Sequence, residues 1–347
     1  MILAMGLLLV SGGACKKDKA KSKPKEDPAK AEPAAKTTET AEAKPAEPEA
    51  PASPDSDVEM VMLNQSEVKW VDAPMFPKGA QISVLEGTPP FAEQKTFAVL
   101  AKFPKGYVLP PHVHPGIERV TVISGEFNLG HGEKVDKKVA KKITAGGIFM
   151  IPPGHAHFAF MGGKDTTVML AGVGPWGIHY IDPKNDPRQP PPPKVEATEH
   201  PFDTVPPDMV ILDAAAIKYV PAPPGTFPAT AEVAFLEGDP AQARSLTGRL
   251  KVPKGYMMPV HTHPATERVL IISGTVKFGH GDTFDEKSAK DLQAGGIAIL
   301  PKDHKHSFMA TSDTVMQAYG IGPFKIVWAN PADDPASATA APDAETK

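Results

Sequence analysis

The chain has 347 residues, 41% of them apolar, with 40 prolines and a formal net charge of -4, a length that suits about two domains. The near balance of charge provides no bulk electrostatic footprint for nucleic acid, and no nucleic-acid partner is expected. One cysteine, Cys15, excludes an intramolecular disulfide.

The chain opens on MILAMGLLLV, an apolar run too short to span a bilayer as a mature helix, and continues into the small residues SGGAC. Residues 1–15 resemble a bacterial lipoprotein signal, in which Cys15 becomes the lipidated N-terminus. Gly12 departs from that pattern, which usually has leucine there, and no basic residue precedes the apolar run. An ordinary signal peptide and a cytosolic start with a chance cysteine are the alternatives. The lipoprotein reading implies a protein held in a bacterial cell envelope, on the periplasmic or surface side, by a membrane lipid anchor. Residues 16–57 contain Lys, Ala, Glu and Pro with no apolar periodicity, and nine lysines nearly cancel eight acids between Lys16 and Ala50. That composition reads as a disordered, solvated tether.

Beyond the tether the sequence repeats itself. PKGYVLPPHVHPGIERVTVISGEFNLGHG from Pro104 recurs as PKGYMMPVHTHPATERVLIISGTVKFGHG from Pro253, at an offset of 149 residues. AGGIFMIPPGHAH and AGGIAILPKDHKH continue the match. Two homologous domains follow, 58–187 and 210–335, joined by a stiff proline-rich linker over 188–209 and closed by a disordered tail over 336–347. Short β-branched or apolar runs bounded by Gly and Pro, such as RVTVISGEFNLG, predict an all-β barrel or sandwich in each.

His112, His114 and Glu118 share even-numbered parity, so a regular strand would point all three the same way. Two imidazoles and a carboxylate in one desolvated space are costly unless paired or bound to a cation, and a divalent metal answers that cost.

Gly106, His112, His114, Glu118 and Gly125 match the first cupin motif, G-x5-H-x-H-x3-E-x6-G. Gly146, Pro152, Gly154 and His157 match most of the second, with Met161 in place of its final asparagine. The second repeat supplies Gly255, His261, His263, Glu267, Gly274, Gly295, Pro301 and His306, and departs at Asp303 and Ala310, where the motif has glycine and asparagine. The chain therefore resembles a bicupin. The resemblance implies two tandem double-stranded β-helix, or jelly-roll, barrels. It also implies one metal in each, held by His112, His114, Glu118 and His157 and by His261, His263, Glu267 and His306. Three neutral imidazoles and a carboxylate suit divalent Mn, Fe, Co, Ni, Cu or Zn without distinguishing them. Asp303 is expected to keep the turn that glycine would make, since aspartate tolerates left-handed backbone.

Among the other repeated residues, His155 shares parity with His157 and reads as a rim residue or a supporting group. Arg119 and Arg268 should point away from the neighbouring glutamates toward a surface or interface carboxylate. Trp176 and Phe324 read as packing residues. The first functional reading is a membrane-tethered, metal-binding bicupin that takes a small-molecule ligand or has an unassigned activity. The alternative is a metal-dependent dioxygenase, decarboxylase or isomerase acting on a small organic substrate. Catalytic residues do not identify themselves, and an oligomer stays open. The proline-rich linker suggests loosely coupled domains, and free histidine titration suggests that metal stabilisation weakens as pH falls from 6 to 5.

Overall fold

Strands Thr96–Phe103 and Thr166–Val173 are buried along nearly their whole length, because one face of each serves its own domain and the other meets the neighbouring domain. In Thr166–Val173, Val168 and Leu170 enter the interior of the first domain, while Met169, Ala171 and Val173 join a second core. That second core continues into Leu270, Ile297, Ile299, Tyr319 and Ile321 of the second repeat. The period-two alternation of a strand thus divides between two hydrophobic cores.

The structure is a computed structural model describing residues 54–55, 58–198 and 200–339. Cys15, the signal-like segment and the tether up to Ser53 lie outside the described residues, as do residues 340–347. Short helix Pro335–Thr339 occupies the start of the stretch read as a disordered tail, a correction to that boundary.

Among the described residues each domain is two facing antiparallel sheets, one of seven strands and one of five. The tandem jelly-roll fold is as expected from the sequence, with the sheets left as separate layers rather than closed into a ring. In the first domain the small sheet runs His179–Tyr180, Val108–Val113, His157–Met161, Glu126–His131, Lys141–Thr144. The large sheet contains Ile148–Ile151, Glu118–Ser124, Thr166–Val173, Thr96–Phe103 and Gln81–Glu86 in that spatial order. The second domain repeats the arrangement.

The segment ahead of each domain adds a strand to the other one. Val61–Leu63 pairs with Ile297–Leu300, and Val210–Leu212 pairs with Ile148–Ile151. The sequence boundaries therefore need correcting at these strands, because each covers an otherwise unpaired sheet edge in the neighbouring domain. The linker is no free spacer either. Thr198 donates its backbone N–H to the Pro115 carbonyl at 2.8 Å, and Phe202 and Asp203 are buried.

The expectation of loose coupling fails for a second reason. Arg119 Nε donates to both carboxylate oxygens of Glu237 at 2.8 Å, and its Nη2 reaches Asp203 at 3.1 Å. In the mirrored pair, Arg268 donates to Glu86 and, at 2.8 Å, to Asp55. Both guanidinium groups flank the Tyr319 ring, at 5.8 and 5.7 Å from its centroid. Strand parity turned each arginine from its neighbouring glutamate into the interface, as its spacing predicts.

Candidate metal centres

His112 is the penultimate residue of the Val108–Val113 strand of the small sheet, with His114 just beyond it, whereas Glu118 begins the next strand, in the large sheet. Shared parity along one strand is therefore not what gathers the three, which corrects the reason drawn from the spacing. A four-residue turn carries the chain from one sheet to the other, and both layers contribute to the site. His157, opening the adjacent small-sheet strand, stands directly across from His112 in register. The second domain places His261, His263, Glu267 and His306 the same way, with His306 opposite His261.

In each domain the three histidines offer nitrogen atoms that all lie within 4.8 Å of one another. Glu118 joins the first group, its carboxylate 3.5 Å from His114 Nε2 and 3.2 Å from His157 Nε2. Glu267 joins the second, 3.7 Å from His263 Nε2 and 3.2 Å from His306 Nε2.

Backbone carbonyls set the ring orientations. The Nδ1 atoms of His112, His114 and His157 lie 2.6, 2.6 and 2.8 Å from the carbonyl oxygens of Pro110, Gly177 and His155. Pro259, Lys325 and His304 serve His261, His263 and His306 at 2.7, 2.9 and 3.0 Å. A carbonyl only accepts, so each Nδ1 carries the proton and each Nε2 presents its lone pair to the centre of the cluster. In the first domain those three Nε2 atoms are buried without a hydrogen-bond partner. Unpaired buried acceptors carry a desolvation cost that a cation would remove.

Burial, reinforced by His157 and His114, holds His112 well below the ordinary imidazole range. Burial likewise takes His114 down to about 4 and His261 to about 3, and lowers His263. Burial alone would raise the two carboxyls, but the adjacent imidazoles reverse it, lowering Glu118 and bringing Glu267 to about 2. Neutral imidazoles around an ionised carboxylate are the protonation state that a divalent cation requires. The donor set fits such an ion in each domain, without selecting among the first-row metals.

The aromatic residues after the repeated Gly-x-Gly-Pro do more than fill space. Trp176 stacks on the His114 ring at 4.6 Å between centroids and 14° between planes, and Phe324 covers His263 at 4.6 Å and 30°. Their recurrence in both repeats was the available signal, but sequence reasoning gave them packing roles only. His155 lies in the turn before its strand, so its parity with His157 is broken; its carbonyl, rather than its ring, supports the cluster. Asp303 has a φ of 61°, beside 73° for its counterpart Gly154, so the left-handed turn survives the replacement.

The second cluster opens into a cavity of about 690 Å³, lined by its His261, His263, Glu267 and His306 and by apolar side chains including Leu246 and Phe324.

Comparisons with known proteins agree with this architecture. A germin-like protein 3-1 from Oryza sativa subsp. japonica is 34% identical over 90 residues, 26% of this chain and 39% of the relative. Nectarin-1 from Nicotiana plumbaginifolia is 38% identical over 67 residues, 19% of this chain and 29% of the relative. The chain thus spans little more than a third of the length of the curated relatives it matches. Among solved structures, a candidate dioxygenase from Nostoc punctiforme superposes with a TM-score of 0.56 at 13% identity, covering 79% of this chain and 87% of that one. An oxalate decarboxylase from Lactobacillus farciminis superposes with a TM-score of 0.51 at 14% identity, covering 83% and 98%. At such identities the likeness concerns the fold alone. The family described as a domain of unknown function, DUF4437, matches residues 91–320, well over half of the chain. The chain belongs to that family and is a two-domain member of the cupin superfamily.

Proposed function

We propose that this protein is an envelope-tethered bicupin that holds one divalent metal ion in each domain and binds a small organic molecule. The ligands are His112, His114, Glu118 and His157 in the first domain and His261, His263, Glu267 and His306 in the second. The observation that carries the reading is the set of three converging, buried and unpartnered Nε2 atoms beside Glu118, mirrored by the second cluster. Bound there, a divalent ion supplies Lewis acidity and open coordination positions. Elemental analysis tests the proposal: wild type should carry two ions per chain, and the double variant His112→Ala/His114→Ala one. Unchanged metal content in that variant removes the assignment.

A second reading is a metal-dependent dioxygenase, decarboxylase or isomerase acting on a small organic substrate. It is favoured by the cavity that reaches the second cluster and by the two superposing proteins, one a candidate dioxygenase and the other an oxalate decarboxylase. Aerobic and anaerobic turnover of a metabolite panel by metal-loaded protein, compared with Glu267→Gln, separates the two. Tight binding without turnover favours the binding protein.

Lipidation of Cys15 and residence in the bacterial envelope belong to the same proposal and rest on the MILAMGLLLVSGGAC segment.

A further inference from the structure

The two domains share motifs and diverge inside. Interior positions of the first domain are occupied by Phe97, Val99, Phe103, Phe127, Phe149 and Leu170, all within one buried core. At the repeat-related positions the second domain has Leu246, Gly248, Val252, Val276, Ala298 and Ala318. Every one of these exchanges removes volume from the second interior. Ala101, Leu129, Ala159 and Val168 give way to the larger Leu250, Phe278, Phe308 and Met316, which run the other way, but only two of these restore a ring.

Part of the difference lies beside the cluster residues. In the first domain Phe91 meets Phe97 at 5.0 Å, Phe97 meets Trp176 at 5.5 Å, and Trp176 stacks on His114. This column of rings is buried throughout. In the second domain the chain between Gly238 and Ser245 is two residues shorter than that between Gly87 and Thr96, and no aromatic residue replaces Phe91. Leu246 and Gly248 stand where Phe97 and Val99 fill the first interior, and the space they leave is part of the 690 Å³ cavity.

We infer that the domains divide their work. The first metal centre is a sealed, structural one, and the second is the ligand site, taking a mainly apolar, ring-containing molecule with one oxygen-donor headgroup. This inference rests on the metal reading above and assigns the ligand to one of its two sites. The volume is that of a pocket for a ligand of drug-like size, and its predominantly apolar wall matches that kind of ligand. Phe278, Phe308, Phe324 and Trp328 offer ring faces for stacking. The polar end of the cavity is the ligand cluster itself. Arg249 is the one arginine in the wall, and its guanidinium donates to Gln317 and to the Gly146 carbonyl. Lys325 is exposed. A small dianion such as oxalate would therefore find only the solvent-exposed Lys325 as a cation not already engaged, which compensates little of the desolvation of a second carboxylate.

Gly248 makes the inference testable. A Cβ built there meets nothing closer than the Phe235 ring at 3.6 Å, an ordinary contact, so Gly248→Val restores the side chain of Val99 without a clash at Cβ. Ala318→Leu restores Leu170 independently. Metal-loaded wild type and variants are titrated calorimetrically with 2-naphthohydroxamate, an apolar ring system with an oxygen-donor head, and with oxalate. Metal content is measured on the same samples after dialysis. We expect one naphthohydroxamate per chain, at least about tenfold weaker binding in either cavity-filling variant, wild-type metal content in both, and retained binding in His112→Ala/His114→Ala. Absence of binding to wild type, binding indifferent to both cavity-filling variants, or loss of binding with the first-domain histidines overturns the assignment of the site. Oxalate binding as tightly as the naphthohydroxamate overturns the ligand class. A wild-type content below two ions, with the probe still bound and still sensitive to Gly248→Val, removes the metal reading and leaves the cavity assignment standing.

Discussion

Arg268 donates from Nε and Nη2 to the two carboxylate oxygens of Glu86, 182 residues earlier in the chain. Neither group is accessible to water to any extent that matters, since Arg268 is 1% and Glu86 8% exposed. Together with Arg119 and Glu237, they make the boundary between the domains a charged lock set within an apolar core. A buried pair of this kind is weak evidence for net stability, but removing one partner leaves the other uncompensated.

Arg268→Met is accordingly expected to destabilise the protein by about 3–5 kcal/mol, and Glu86→Gln combined with it by less than the sum of the two single changes. Because strands are exchanged between domains and the carboxylate partners cross the same interface, wild type should melt in one transition in calorimetry. Two resolved transitions, with Arg268→Met moving only one, would show that the lock does not couple the domains.

Metal should stabilise the folded chain. At free metal 100 times the dissociation constant the linkage is worth about 2.7 kcal/mol per site, and chelation at pH 7.5 should lower the melting temperature by several degrees. Glu118→Gln and Glu267→Gln should each reduce that response. A melting curve indifferent to chelator counts against both four-residue sites.

The pH dependence follows from burial. In the unfolded chain the imidazoles of His114 and His261 take up protons as pH falls through about 6.5, whereas in the folded metal-free protein they do so only near 4 and 3. The unfolded state therefore binds more protons in between, and metal-free stability drops as pH falls from about 6.5 toward 4. Glu267, held at about 2, adds stability that is present above the usual carboxyl value of about 4.5 and is lost as pH falls through about 2. His114 and His261 stay deprotonated at pH 5.5 in the folded protein, so metal held through them should remain bound there and leave only toward pH 4. Free histidine would instead place the weakening between pH 6 and 5. Equilibrium dialysis across pH 7 to 3.5 checks the retention of metal, and release complete by pH 6 would refute it.

Asp303 holds a φ of 61° while its N–H donates to the His263 carbonyl at 2.9 Å. Asp303→Gly should be neutral or slightly stabilising, and Asp303→Val destabilising by roughly 1–2 kcal/mol, because a β-branched side chain pays the full left-handed penalty. Denaturant titration compares them; equal stability of the two variants would contradict the turn.

Cys15→Ala should release a soluble or unprocessed form from bacterial membrane fractions. Unaltered membrane association, with no lipid on the peptide containing residue 15, would remove the anchor from the proposal.

The repeat, the all-β character and the eight cluster residues were legible in the sequence because each depends on local spacing. His112 and His114 at alternate positions, a glutamate four residues on, and a histidine opening a later strand recur at a fixed offset. A recurrent pattern of that kind survives without knowledge of the neighbours. The strand-parity explanation for Glu118 was wrong because a turn between two sheets intervenes, and a turn of Pro-Gly-Ile has no periodicity to read. Trp176 was legible as a repeated aromatic, but its stacking on His114 depends on how a distant strand end returns over the site.

The sequence by itself determined that two homologous β domains each carry three histidines and a glutamate in cupin spacing. Tertiary structure alone decided that Val61–Leu63 and Val210–Leu212 change domains, that Arg119 and Arg268 find their carboxylates across the interface, and that a cavity opens at the second cluster. The reason is geometric. Ligand spacing is a property of a few consecutive residues, whereas an interior volume is the sum of side chains from strands on both sheets. Phe97 against Leu246 or Val99 against Gly248 acquires meaning only once those strands face one another.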